Sequence, residues 1–168
     1  MLLTDMDKAC ARILDAIDRE ETIVVFGDYD VDGVTATALL YQHLKGMGAN
    51  VKCMLPSREG DGYGLSKNAI QSIHDKGYQL IVTVDNGISA LEEAGFAASL
   101  GVDLIVTDHH LPHDTLPKAR CRGGPPPAPM IPAPSRACAA QAWLLSSVPR
   151  WSCPPGGRVL DYWRLDLG

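Results

Sequence analysis

The sequence predicts an α/β fold, a parallel β-sheet flanked by helices, followed by an irregular tail rich in proline and alanine. Short apolar runs at residues 22–26, 51–55, 80–84 and 103–107 are typical of buried parallel strands, because strands covered on both faces are continuously apolar. Segments with helical periodicity separate these runs at short intervals. This alternation favours a parallel sheet with helices packed on both faces.

The first two helices are expected to precede and follow the first strand. Thr4 and Asp7 form a capping pair that opens the first helix. The second helix is predicted from Val34 to Met47, with Ala38 among its inward residues. The segment before Val34 is therefore interpreted as a loop.

The third and fourth helices are predicted from their end signals. Ser66 is the expected cap of the third helix, and Gly77 ends it. The fourth helix is expected to begin with a capping box formed by Ser89 and Glu92 and to end at Gly101.

Composition and charge divide the chain near residue 120. Residues 1–119 contain 18 acids and 9 lysines and arginines, whereas residues 120–168 contain 2 acids and 6 arginines. The second part also holds 9 of the 12 prolines, which disfavour long helices and central strands. We therefore predict one domain over 1–119 and an atypical tail over 120–168. For this tail a disordered linker, a natural divergent end and an out-of-frame reading of a GC-rich gene are all open.

Several classes of protein are disfavoured by composition. The five cysteines show no CxxC pair, which argues against a zinc knuckle or a disulfide framework and favours a reduced, cytoplasmic location. No apolar run approaches the ~18 residues of a membrane span, and the N-terminus lacks a signal-peptide pattern. The net charge of −5 disfavours a broad nucleic-acid surface unless the acids bind cations.

Acids and histidines follow three of the four predicted strands, where ligands gather in open α/β sheets. They are Asp28, Asp30, Asp32, Asp85, Asp108, His109 and His110. Carboxylates with imidazole suit Mn²⁺, and Mg²⁺ less specifically. So many anions in one crevice indicate two metal ions about 3.5–4 Å apart. A calcium loop is disfavoured because Leu39 stands where the twelfth position from Asp28 requires Glu.

The motifs GDYDVDG (27–33), VTVDNG (82–87) and VTDHH (106–110) resemble the first three motifs of the DHH phosphoesterase superfamily. Within it, the segment PSREGDGYGLS (56–66) is similar to that of RecJ-type exonucleases, which are specific for single-stranded DNA. The resemblance covers about residues 3–119 and makes this region a partial DHH phosphoesterase domain.

This resemblance implies a metal-dependent phosphodiesterase that hydrolyses single-stranded DNA from 5′ to 3′ in recombination and repair. The implied metal ligands are Asp28, Asp30, Asp32, Asp85, Asp108 and His109. The implied catalytic residues are Asp108, His109 and His110. The implied substrate-binding residues are Arg58, Tyr63, Gly64 and His110.

Other functions remain open at this point. A DHH-family oligoribonuclease or cyclic-dinucleotide phosphodiesterase would keep the chemistry and change the substrate. A non-catalytic metal-binding remnant is the alternative from a different class. The superfamily's fourth aspartate motif and second domain are not recognisable in the sequence, so we expect the 168-residue chain to be weakly active or inactive by itself. The exposed sheet edge and Trp143, Trp151 and Trp163 are surfaces through which the chain could self-associate.

Overall fold

A parallel five-stranded sheet with helices on both faces forms the fold, which confirms the predicted class. The structure, a computed structural model, describes residues 6–56, 64–108, 110, 117 and 121–123. The helices are α1 (Met6–Asp18), α2 (Val31–Gly46), α3 (Lys67–Asp75) and α4 (Leu91–Ser99). The strands are β1 (Thr22–Phe26), β2 (Asn50–Met54), β3 (Leu80–Val84), β4 (Asp103–Thr107) and β5 (Cys121–Gly123).

The sheet order is β2-β1-β3-β4-β5, and every neighbouring pair is parallel. The bounds of β1, β3 and β4 are those predicted, and β2 begins one residue earlier than expected. The sequence does not predict β5. This short strand pairs with Ile105–Thr107 of β4 and lies beyond the compositional boundary at residue 119.

Helix α2 begins three residues before its predicted start, so the expected loop after Asp30 is wrong. Oδ1 of Asp30 accepts a hydrogen bond from the Gly33 amide at 2.7 Å and caps the first turn. The inward face is also corrected, because Ala38 is exposed while Ala36 and Thr37 are buried.

The two shorter helices differ in how they begin. Ser66 caps α3 as predicted, since its Oγ accepts from the Ala69 amide at 3.2 Å. The capping box at Ser89 and Glu92 is wrong: Ala90 is the N-cap of α4 and makes no side-chain capping bond. Glu92 instead lies 2.7 Å from Lys67 Nζ of α3. The proposed Thr4–Asp7 capping pair lies outside the described residues.

Alternate residues of each strand enter two separate cores. One core, against α1 and α2, contains Ile13, Val25, Leu40, Leu44 and Val82. The other, against α3 and α4, contains Phe26, Ile70, Ile73, Ile81 and Val106. Since both faces are covered, the edge at which the strands end is the place where polar side chains can meet.

An ion-pair cluster lies at the opposite end of the strands, where β1 and β4 begin. The largely buried Arg12 guanidinium of α1 donates to Asp103 Oδ2 at 2.7 Å and to Glu21 Oε2 at 2.5 Å. These acids precede or open strands β1 and β4, so Arg12 fixes α1 to the start of the sheet. Of the helices that the structure describes, none has the length and apolar character needed to cross a membrane.

Candidate metal centre

The acids after β3 and β4 meet as the strand pairing predicts. Asp85 follows β3 and Asp108 follows β4, and both side chains are buried. Asp85, Asp108 and His110 each offer one ligand atom within 4.8 Å of the others. This spacing fits a single cation held by two carboxylates and one imidazole.

The Asp108 carboxylate is held on both sides. Its Oδ2 accepts from the Ile88 amide at 2.9 Å, and its Oδ1 accepts from the His110 amide at 3.1 Å. The same Oδ1 lies 2.6 Å from His110 Nδ1. Because a carboxylate oxygen accepts, Nδ1 carries the proton here, and Nε2 is the nitrogen left for a ligand.

The electrostatic environment of His110 favours its charged form. Partial burial lowers the pKa of the imidazole, but the hydrogen bond to Asp108 and the charges of Asp108, Asp85 and Asp30 outweigh it, so the pKa is raised. The acids that raise this pKa follow three different strands, β4, β3 and β1.

The backbone at Asp85 is unusual. Its φ is +63°, in the left-handed region that few residues other than glycine adopt. The Asp85 amide donates to the carbonyl of Thr107 at 2.9 Å, which ties this bend to the end of β4. Aspartate and asparagine adopt this conformation more readily than other residues with side chains.

The three acids of the first motif are placed differently from one another. Asp28 is fully buried; its Oδ1 accepts from the Tyr29 amide at 2.6 Å. Its Oδ2 is also buried and has no hydrogen-bond partner among the residues that the structure describes. Asp30 caps α2, and Asp32 is exposed in the first turn of that helix.

A pocket of about 370 Å³ opens beside Asp85, Asp108 and His110. Gly64 lies in its wall with φ +79°, a left-handed conformation that favours glycine. Glu93 of α4 adds a further acid to the lining. Asp85, Asp108 and His110 all lie in the lining of this pocket, so a ligand bound there would contact them.

The predicted site residues fall into three groups. Asp85, Asp108 and His110 are brought together, and Gly64 joins them at the pocket wall. Asp28, Asp30 and Asp32 lie after the neighbouring strand β1 and are not part of the three-residue group. Arg58, Tyr63 and His109 lie outside the described residues.

Three neighbours of the site were not predicted. Ile88 acts through its backbone amide, which sequence alone does not reveal. Glu93, in the first turn of α4, lies in the pocket lining, and the capping pattern gave no indication of this. Asn86 is buried within the DNG turn, and only its flanking motif could have drawn attention to it.

Comparison with known proteins supports the interpretation of the three sequence motifs. The family model of the DHH family, N-terminal domain, matches residues 22–138. This chain belongs to the DHH family. The predicted resemblance to the DHH superfamily is therefore confirmed, and the match continues past the compositional boundary at residue 119.

The curated relatives of this DHH chain are exonucleases. It is 47% identical over 118 residues to the single-stranded-DNA-specific exonuclease RecJ of Escherichia coli, covering 70% of this chain and 20% of that protein. It is 45% identical over 115 residues to RecJ of Bacillus subtilis, covering 68% of this chain and 15% of that protein. The chain thus spans about a fifth or less of the length of these relatives.

Solved DHH structures show the same fold. A crystal structure of exonuclease RecJ bound to manganese matches with TM-score 0.78 and 33% identity, over 96% of this chain and 41% of that one. RecJ from Thermus thermophilus in complex with Mn²⁺ matches with TM-score 0.73 and 30% identity, over 96% of this chain and 23% of that one. The RecJ resemblance predicted from the YGLS segment is confirmed.

The residues present fit a divalent metal. Asp85, Asp108 and His110 provide oxygen and nitrogen ligands of the type that Mn²⁺ and Mg²⁺ accept. Asp28 adds a buried carboxylate oxygen for which no partner is described, and such a group is costly unless it is neutralised. A cation bound at Asp28 would satisfy this oxygen, and a cation held by Asp85, Asp108 and His110 would offset the repulsion between the two acids.

Proposed function

We propose that this chain forms the metal-binding part of a RecJ-type exonuclease, a hydrolase that degrades single-stranded DNA from 5′ to 3′ in recombination and repair. The observation that carries this proposal is the convergence of Asp85, Asp108 and His110 within 4.8 Å at one wall of a pocket. The exonuclease relatives support the substrate class.

We propose two Mn²⁺ ions, with Mg²⁺ as the alternative, held by Asp28, Asp30, Asp32, Asp85, Asp108 and His109. The solved RecJ relatives bound to Mn²⁺, and one in complex with Mg²⁺ at 26% identity, support a divalent ion. The position of His110 in the three-residue group indicates that it also lies within reach of a bound ion. When bound, the metal would polarise a phosphodiester and lower the pKa of the attacking water.

The protein's own groups orient the reaction. Asp108 accepts from His110 at Nδ1 and so directs Nε2 away from the carboxylate. In its protonated form, His110 can donate a hydrogen bond to the scissile phosphate or a proton to the leaving oxygen. We assign phosphate or base contacts to Arg58, Tyr63 and Gly64, of which Gly64 lines the pocket.

Location and assembly belong to the same proposal. We infer a cytoplasmic location, in keeping with action on DNA. Self-association through the sheet edge stays a prediction, for which the measurement is the mass of the purified chain in solution.

Thermal unfolding with and without Mn²⁺ tests the metal centre. A cation that binds the native state at about 100 times its Kd should stabilise it by ~2.7 kcal/mol. We expect this gain in the wild type and its reduction in Asp85→Asn. Asparagine is chosen because it tolerates the left-handed backbone at this position.

The matched control is Asp75→Asn, which removes an exposed carboxylate from the end of α3, away from the site. It should keep the full response to Mn²⁺. Absence of any Mn²⁺ response in the wild type would refute the metal centre, and an equal response in Asp85→Asn would refute the role of that residue.

The substrate class is tested separately. The chain is incubated with Mn²⁺ and 5′-phosphorylated single-stranded DNA, the matched duplex, single-stranded RNA or a cyclic dinucleotide. Selective loss of the single-stranded DNA, however slow, supports the proposal. Turnover of RNA or the cyclic dinucleotide in preference to DNA would overturn the substrate assignment.

A further inference from the structure

We propose that Asn86 is a positioning residue that clamps the ends of β1 and β3, so that the acids following these strands face a common cation. The inference rests on the proposed function, because it concerns how the metal centre is held. It assigns a role to a residue that offers no charge and that the ligand set does not include.

The clamp consists of two hydrogen bonds from one amide group. Asn86 Nδ2 donates to the carbonyl of Val84 at 3.0 Å and to the carbonyl of Phe26 at 3.3 Å. Val84 and Phe26 are the last residues of β3 and β1. The side chain is only 4% exposed, so water does not compete for these bonds.

Its position continues the sheet where regular pairing stops. The β1–β3 ladder ends at Phe26 and Thr83, so Val84 lies beyond the last paired residue. The Asn86 amide joins Val84 to Phe26 at this point and takes the place of a further rung. Without it, the two strand ends would lose this side-chain link across the final step.

The strand ends have a reason to separate. Asp28 and Asp85 follow β1 and β3, and both are buried, at 0% and 2% exposure. Like charges repel, and burial strengthens the repulsion between carboxylates that no cation neutralises. A neutral donor that ties the two backbones together therefore opposes the repulsion without adding charge.

The orientation of the amide follows from its neighbours. Two carbonyl oxygens surround Nδ2, and carbonyls accept only, so the amide nitrogen must face them. Oδ1 is then left buried, with no hydrogen-bond partner in the described part of the chain. A buried acceptor without a partner lowers the stability of the fold, so a gain in stability does not explain why asparagine stands at position 86.

The chain offers a matched control on the same two strands. The Gln79 side chain, directly before β3, accepts from the Thr22 amide of β1 at 2.8 Å. It joins β1 and β3 at their N-terminal ends, as Asn86 joins them at their carboxyl ends. Truncating either residue removes a side-chain link between these strands, but only one link lies at the metal centre.

The experiment compares Asn86→Ala, Asn86→Asp and Gln79→Ala with the wild type. Mn²⁺ affinity is measured by isothermal titration calorimetry, and thermal unfolding without metal reports on the fold. We expect both Asn86 variants to bind Mn²⁺ about 10–100-fold more weakly, by analogy with the loss seen when the hydrogen-bond partners of metal ligands are removed. Gln79→Ala should bind Mn²⁺ with wild-type affinity whatever its thermal stability.

Asn86→Asp separates position from charge. It keeps the size of the side chain, loses both donors and adds a negative charge, which alone would strengthen cation binding. Weaker binding by this variant therefore supports the clamp, and binding equal to or tighter than the wild type overturns it.

Each remaining outcome also supports or contradicts the inference. If Asn86→Ala unfolds, the conclusion rests on Asn86→Asp; if neither folds while Gln79→Ala does, Asn86 is a general structural residue and the inference fails. Equal losses of affinity in Gln79→Ala and the Asn86 variants would also overturn it. Absence of Mn²⁺ binding in the wild type would instead refute the proposed metal centre, so the two failures are distinguishable.

Discussion

Gly33 packs against the backbone of Asp28, so the substitution Gly33→Ala should disturb the start of α2. A Cβ at Gly33 would lie 2.7 Å from Asp28 N and 2.8 Å from its Cβ and O. Contacts this short do not occur, and two of the three atoms are backbone that cannot rotate away. Helix α2 or the Asp28 segment must therefore move.

The expected cost is the difference between two opposing effects. Overpacking a tight contact costs about 1–3 kcal/mol. Replacing glycine with alanine inside a helix gains up to about 1 kcal/mol from helix propensity. Asp28 is held by the bond from the Tyr29 amide to its Oδ1, and the preceding Gly27 amide donates to Met54 at 3.1 Å, so relaxation is limited. The steric cost should exceed the gain in helix propensity, so Gly33→Ala should be less stable than the wild type.

Gly46→Ala in the same helix is the control, because a Cβ there meets nothing within 4 Å. The propensity gain has the same sign in both variants, so most of their difference is the steric cost of about 1–3 kcal/mol. Urea unfolding measures it, and thermal unfolding should show about 2–4 °C per kcal/mol for a chain of this size. Gly33→Ala with a stability equal to or above that of Gly46→Ala would refute the close approach of α2 to Asp28.

Two further predictions concern stability away from the centre. Arg12→Ala should lower the free energy of unfolding by about 2–3 kcal/mol, because it leaves the partly buried Asp103 without its largely buried partner. Arg19→Ala removes a mostly exposed cation and should have little effect in the same urea titration. Equal losses in the two variants would contradict the argument. Ser66→Ala should lower the free energy of unfolding by about 1 kcal/mol, because the side-chain cap of α3 is lost. Ser89→Ala should be nearly neutral, since the Ser89 side chain does not cap α4. A larger loss for Ser89→Ala would show that Ser89 caps α4 after all.

The strands were predictable because burial on both faces leaves a simple signal. Runs such as those at 22–26 and 80–84 are short, apolar and set between helices, and few other structures tolerate them. The strand at Cys121–Gly123 has no such signal. It is defined by pairing with β4, a contact distant in sequence, within a segment whose composition suggests no regular structure.

Helix starts were harder because several residues carry the same capping signal. Ser66 and Ser89 both precede helices, yet only Ser66 accepts from an amide of the first turn. Glu92 is exposed beside Lys67, so a tertiary ion pair takes the place of the predicted capping role. The local pattern predicted that a helix begins nearby, but it did not distinguish Ser89 from Ala90 as the N-cap.

The motifs predicted which strand ends carry the site, but not how each side chain is used. Parallel pairing of β3 with β4 is enough to bring Asp85 near Asp108. The hydrogen bond from His110 to Asp108 and the amide of Ile88 depend on the path of the loops after the strands. No periodicity in the sequence encodes these paths.

The three alternating aspartates of GDYDVDG make different contacts and have different roles. Asp30 places one oxygen on the amide of Gly33, and Asp32 lies in the first turn of α2, where a negative charge is favourable to the helix dipole. The helix start thus offsets part of the repulsion that three acids would otherwise suffer. Asp28 receives no such help for its buried Oδ2. Of the three acids, Asp28 therefore has the most to gain from a cation, and its substitution should weaken metal binding most.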